Sequence, residues 1–172
     1  PEQLKQIARK VIEERRQGKD MLVIVSAPGE MTDDLIARAH QITDSPDERE
    51  MDVLLATGEQ QSIALLAMAI HSMGCEATSF TGPQMGIITD DVHGKAKIER
   101  INRRKVLKAL KEKNIVIVAG FQGMTKDGEI STLGRGGSDL TAVALAAVLK
   151  ATVCELYKDV DGIYTANPRV VA

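Results

Sequence analysis

The chain has 172 residues and a mass of 18.6 kDa, the size of one domain with room for a sizeable core. Its 22 Lys and Arg against 24 Asp and Glu give a net charge of −2, which excludes bulk attraction to nucleic acid or an anionic membrane, so any anion must be met by a local site. Cys75 and Cys154 lack CxxC or metal-like spacing and are expected as buried, reduced thiols; with a charged amino end and no uninterrupted apolar run of bilayer length, they point to the cytoplasm.

Along the chain, Leu4, Ile7, Ala8, Val11 and Ile12 recur at helical spacing and predict a helix over 2–17, stopped at Gly18. MLVIVSA (21–27) is a continuous apolar run rich in branched residues, the signature of a strand buried on both faces. Helices are predicted near 32–43 and 48–73, a strand at CEATSF (75–80), and less regular structure over 81–101. A helix near 102–113, a strand at NIVIVAG (114–120), a helix at 139–150 and a fourth strand at TVCELY (152–157) complete the series. Strands alternating with helices argue for an α/β fold, a layered sandwich with a mainly parallel sheet, in a single domain over 1–172.

In open α/β sheets, ligands gather beyond the carboxyl ends of the strands. Three polar clusters fall there: SAPGEMTD after the first strand, GFQGMTKDGEISTLGRGGSD after the third, and KDVDGIYTANPR after the fourth. In TLGRGGSD, Gly136 and Gly137 permit close backbone approach, and Ser138 is the expected N-cap of a helix whose first amides favour an anion. Arg135 can hold a carboxylate or phosphate bidentately, and Asp139 can cap, orient a cation or join a metal-phosphate arrangement. Taken singly, the glycines and the serine equally describe a flexible loop and a cap.

SAPGEMTDDL pairs Ser26 and Gly29 with Thr32 and Asp33 at a helix start, which serves either a polar ligand or a turn with a Thr cap. Glu59 lies in the apolar stretch LLATGEQQSIALLAMA, where a buried carboxylate is costly without a partner. It either faces a cationic amine or lies on a solvated face. In KDVDGIYTANPR, Asp159, Asp161 and Gly162 make a turn, while Tyr164 and Arg169 could meet a base and phosphates. His40, His71 and His93 share no ligand spacing and read as structural or exposed.

TLGRGGSD, with LLATGEQ, VAGFQG and YKDVDGIYTANPRVV in that order, resembles the catalytic domain of the aspartate kinases, within the amino-acid kinase superfamily. The resemblance covers essentially the whole chain. It implies a three-layer αβα sandwich and transfer of the γ-phosphoryl group of ATP to the side-chain carboxylate of L-aspartate, with Mg²⁺ on the nucleotide. It places Arg135 on an aspartate carboxylate and Glu59 on the amine, with Ser26, Thr32, Phe121, Thr132, Ser138 and Asp139 lining the site. Arg135, Ser138 and Asp139 thereby become the candidate catalytic residues. Lys158, Asp159, Tyr164 and Arg169 fall at nucleotide-binding positions, although the family usually has threonine where Lys158 stands, and its charge could instead meet phosphate. The family's first strand with its KFGG lysine, and its later carboxyl-terminal part, have no counterpart in these residues, so the chain is expected to be a fragment of a homodimeric enzyme. A non-catalytic binding module, or a kinase for an acetylated amino acid such as N-acetylglutamate, is the alternative.

Overall fold

The structure, a computed structural model, describes residues 2–157. Helix α1 (Glu2–Arg16) buries Ala8, Val11 and Ile12, the stripe its spacing predicts, and leads into strand β1 (Leu22–Val25). Helix α2 (Met31–His40) follows. Asp47 then caps the 24-residue helix α3 (Glu48–His71) by accepting from the Glu50 amide. By length and hydropathy alone α3 could span a membrane, but Ile63, Leu66, Ala67 and Ile70 are packed into the core, as befits a central helix of a folded domain. Strand β2 (Ala77–Phe80) comes next.

Residues 81–101 are more ordered than their sequence suggests. Helix α4 (Gly82–Met85) is a single turn made by a capping box: Thr81 accepts from the Gln84 amide while the Gln84 side chain accepts from the Thr81 amide. Gly86, at φ 74°, ends it in the left-handed region. Strands β3 (Ile87–Thr89) and β4 (Ile98–Ile101) form an antiparallel pair. After helix α5 (Arg104–Lys111) and strand β5 (Ile115–Ala119), the segment expected as one long loop contains strands β6 (Gln122–Met124) and β7 (Ile130–Thr132), joined at Lys126-Asp127-Gly128. Helix α6 (Gly137–Leu149) completes the described elements.

Two sheets result. In the first, β5 lies between β1 and β2 and pairs parallel with both. The second is mixed, ordered β4-β3-β6-β7, with its one parallel pair at β3 and β6. All five residues of β5 are fully buried, and successive side chains feed opposite cores. Ile115, Ile117 and Ala119 pack with α1 and α3, whereas Val116 and Val118 pack with Val106 and Ala109 of α5 and Leu145 of α6. Continuous apolar strand sequence is what cover on both faces requires, and each fully buried branched side chain contributes about 1.5–3 kcal/mol.

The fourth strand predicted at TVCELY is not formed. Residues 152–157 are exposed and add to neither edge of the β1-β5-β2 sheet, so their backbone groups are left to solvent instead of a ladder. Tyr157 instead lies under the Lys10 ammonium, 4.0 Å from the ring centroid, and donates to Glu155. The cysteine expectation is likewise corrected: both thiols are free, but Cys154 is exposed and Cys75 half-buried.

Candidate active site

The carboxyl ends of β1 and β5 are tied together by the Gly120 amide, which donates to the Val25 carbonyl at 3.0 Å. The start of α6 presses on the same point. A Cβ on Gly120 would lie 2.6 Å from Ser138 Oγ and 2.9 Å from Ser138 Cα, so only glycine lets the first turn of α6 sit against the end of β5. Beside it Phe121 adopts φ 68°, a left-handed conformation uncommon for an aromatic residue. It is held there by both backbone groups: its amide donates to Thr141 Oγ1 at 3.1 Å and its carbonyl accepts from the Leu133 amide at 2.8 Å. A Cβ on Gly137 would come within 2.8 Å of the Phe121 ring. The structure thus brings Phe121, Ser138 and the end of β7 with Thr132 into one cluster.

The helix start differs from its sequence prediction. Gly136, not Ser138, is the N-cap of α6, and its φ of 78° is what reserves the position for glycine. Ser138 and Asp139 lie inside the first turn, both half-buried. Arg135 is exposed between Gly134 and Gly136, both at positive φ. A similar correction applies at α2: the helix begins at Met31 with Glu30 as N-cap, so Thr32 is a half-buried first-turn residue and caps nothing. Ser26 is exposed directly after β1.

Glu59 is 3% exposed, which settles its orientation against a solvated face. Its Oε1 accepts from the Ala27 amide at 3.0 Å, and its Oε2 is buried with no hydrogen-bond partner. Burial pushes the carboxyl pKa up, and the Ala27 amide opposes that rise. Close packing makes the contact possible, since a Cβ on Gly58 would stand 2.7 Å from Ala27 Cβ. Glu59, on α3, therefore packs against the loop after β1 at Ala27, the residue following Ser26.

Asp52, two helical turns before Glu59 on α3, is a residue the sequence reading passed over. It is fully buried and accepts from His93 Nδ1 at 2.7 Å, from the Gly94 amide at 3.0 and 3.1 Å, and from the Thr132 hydroxyl. His93, expected to be structural or exposed, is structural in this sense. A signal was present: Asp52 and Glu59 are seven residues apart in one apolar helix, hence on one face, and the cost argument made for Glu59 applies to both. Gln122, also fully buried, donates from Nε2 to the Ala56 carbonyl on the same face of α3. Lys158, Asp159, Tyr164 and Arg169 lie outside the described residues.

Chemically, the site combines a buried carboxylate with one oxygen unengaged, an exposed guanidinium on a glycine loop, and the positive end of a 13-residue helix. Such a set suits a zwitterionic ligand carrying an additional anion. Among the described residues no group of three or more His, Cys, Asp or Glu is arranged to hold a metal ion.

Comparison with known proteins agrees in sequence and in fold. The aspartokinase of Geobacillus stearothermophilus is 55% identical over 170 residues, covering 99% of this chain and 42% of that protein. The chain thus spans about two-fifths of the length of that curated relative. The crystal structure of aspartate kinase from Synechocystis superposes with a TM-score of 0.84 at 45% identity, over 99% of this chain and 28% of that one. That of E. coli aspartokinase III in complex with aspartate and ADP gives 0.67 at 31% identity, over 83% of this chain and 33% of that one. The profile of the amino acid kinase family matches residues 1–172, end to end, and the chain belongs to that family.

Proposed function

We propose that the protein transfers the γ-phosphoryl group of ATP to the side-chain carboxylate of L-aspartate, giving 4-phospho-L-aspartate. One observation carries the choice of substrate: Glu59 is buried with Oε2 unpartnered, and a carboxylate so placed calls for a cationic group. The ammonium of a free amino acid supplies it. An acetylated amine supplies none, which disfavours N-acetylglutamate.

Glu59 orients the ammonium, and Arg135 closes on a carboxylate of the substrate as a bidentate donor. Ser138 and Asp139, in the first turn of α6 against Gly120, face the transferring group, where first-turn amides and the helix dipole stabilise negative charge. Little covalent chemistry is asked of the protein, because alignment of two anions and neutralisation of their charge account for most of the barrier reduction in phosphoryl transfer. Mg²⁺, when bound, neutralises the phosphates. Asp139, a carboxylate in the first turn of α6, would be its protein contact, since the described residues hold no closed cage for a metal ion. Lys158, Asp159, Tyr164 and Arg169 are proposed for the nucleotide, by their place in the family pattern.

The same reading carries a three-layer αβα arrangement, supported by the two cores on alternate faces of β5, a cytoplasmic location and a homodimeric whole protein. Trapping of acyl phosphate with hydroxylamine tests the function in the intact protein. ATP-dependent hydroxamate from aspartate is expected. Hydroxamate from N-acetylglutamate alone overturns the substrate, and none from a folded protein that binds aspartate leaves a non-catalytic binding module.

A further inference from the structure

Among the described residues, two charged side chains are buried, Asp52 and Glu59. The proposed reaction engages Glu59 and leaves Asp52 without a role. Asp52 makes its bonds to three residues in two separate parts of the chain. From α3 it reaches His93 and the Gly94 amide in the turn between β3 and β4, and the Thr132 hydroxyl at the end of β7. A carboxylate only accepts, so His93 Nδ1 is the donor and its tautomer is fixed by that contact.

The turn so held backs the glycine loop. The Ala96 amide donates to the Thr132 carbonyl at 2.8 Å, and the Gly94 carbonyl lies 3.1 Å from where a Cβ on Gly134 would stand. Thr132 and Gly134 are the residues that lead into Arg135. An apolar contact could hold the turn in place but would leave it free to slide, whereas a carboxylate with three donors fixes direction and register. Asp52 and Glu59, seven residues apart, stand about 10 Å apart along one face of α3.

Resting on the amino-acid site proposed above, we propose that Asp52 and His93 are positioning residues for the amino-acid substrate: α3 acts as a ruler that holds Glu59 against the β1 loop at one point and, through the Asp52–His93 clasp, the Arg135 loop at another. They touch no reacting atom. They set the distance between the group that takes the ammonium and the group that takes the carboxylate.

The test uses the intact protein with His93→Ala, His93→Leu and His93→Gln, read by hydrogen exchange and by steady-state kinetics. In His93→Ala, amide exchange at Leu133 and Gly134 should quicken by about tenfold or more while β5 stays protected. The KM for aspartate should rise about tenfold, with the KM for ATP and kcat within roughly threefold, since a small misplacement of one substrate is costly. His93→Gln returns a donor toward Asp52 and should recover much of the loss. His93→Leu keeps bulk without the donor, and decides the matter if the alanine variant does not fold. Unchanged exchange at Leu133 and Gly134 overturns the clasp. Faster exchange with unchanged aspartate KM, or with aspartate and ATP KM rising together, reduces it to a structural tie. An intact wild type that never turns over aspartate refutes the functional reading instead, and the exchange data still decide whether the clasp exists.

Discussion

Glu59 is held between two opposing effects: burial favours its neutral form, and the Ala27 amide favours its charged one, with burial the larger. Because its pKa is higher in the folded chain than in the unfolded one, its contribution to stability is present below the ordinary value of 4.5 and is lost as pH rises through the folded value. Glu59→Gln has no such titration. The variant should therefore match wild type in acid and melt higher at neutral pH, by a few degrees for a domain of this size if about 1 kcal/mol is relieved. Bound aspartate reverses the order, since an ammonium favours the ionised carboxylate: its stabilisation of wild type should grow with pH and be absent in Glu59→Gln. Thermal midpoints of both proteins across that pH range, with and without aspartate, decide it, and a gap that persists below 4.5 would refute the account. Arg135 is exposed, so its contact with substrate is only partly desolvated. Arg135→Ala should cost about 2 kcal/mol, roughly thirtyfold in kcat/KM for aspartate. Unchanged aspartate kinetics would remove Arg135 from the site. The oddity of Glu59 was legible in the sequence because a carboxylate in an apolar helix needs only local reading. Asp52 obeys the same rule, but its donors are 41, 42 and 80 residues away, and no local pattern announces that distance.

At the scale of elements, the helices and buried strands were legible because period and run length suffice to find them. The three-residue strands β3, β6 and β7 escaped, being too short for alternation to register. Better local signals existed: the Thr81-Gly82-Pro83-Gln84 capping box for α4, and Asp127-Gly128 for the β6–β7 hairpin. TVCELY failed in the opposite direction, with strand composition and no partner strand among the described residues, which shows why composition is only a prior. Where β5 meets α6 the sequence gives glycines but not the reason for them. Gly120→Ala forces a methyl into Ser138, whose backbone must yield as well as its side chain. The substitution should destabilise by about 1–3 kcal/mol through overpacking. It should also lower kcat, because the first turn of α6, with Ser138 and Asp139, is displaced from the end of β5. A variant with normal kcat would argue that Ser138 and Asp139 lie away from the transferring phosphate.

For the molecule as a whole, β5 is the strand both cores share, and the candidate site hangs from its carboxyl end. Ile117 faces α1 and α3, whereas its neighbours Val116 and Val118 face α5 and α6. A cavity opened on one face should therefore be felt on the other, because the strand that borders it cannot unfold for one core alone. Ile117→Ala removes a fully buried side chain and should cost about 2–5 kcal/mol. Native-state hydrogen exchange can follow where that loss goes. Slow amides in β1, β2 and β5 should lose protection by the same free energy as those in α6, although α6 has no contact with Ile117 in the first core. Loss confined to α1, α3 and their strands would mean that the two cores open independently. The site would then join two separable units, and Glu59 and Ser138 would be held in register only by the local ties at the end of β5: the Gly120 to Val25 and Phe121 to Thr141 hydrogen bonds and the packing of Ser138 and Gly137.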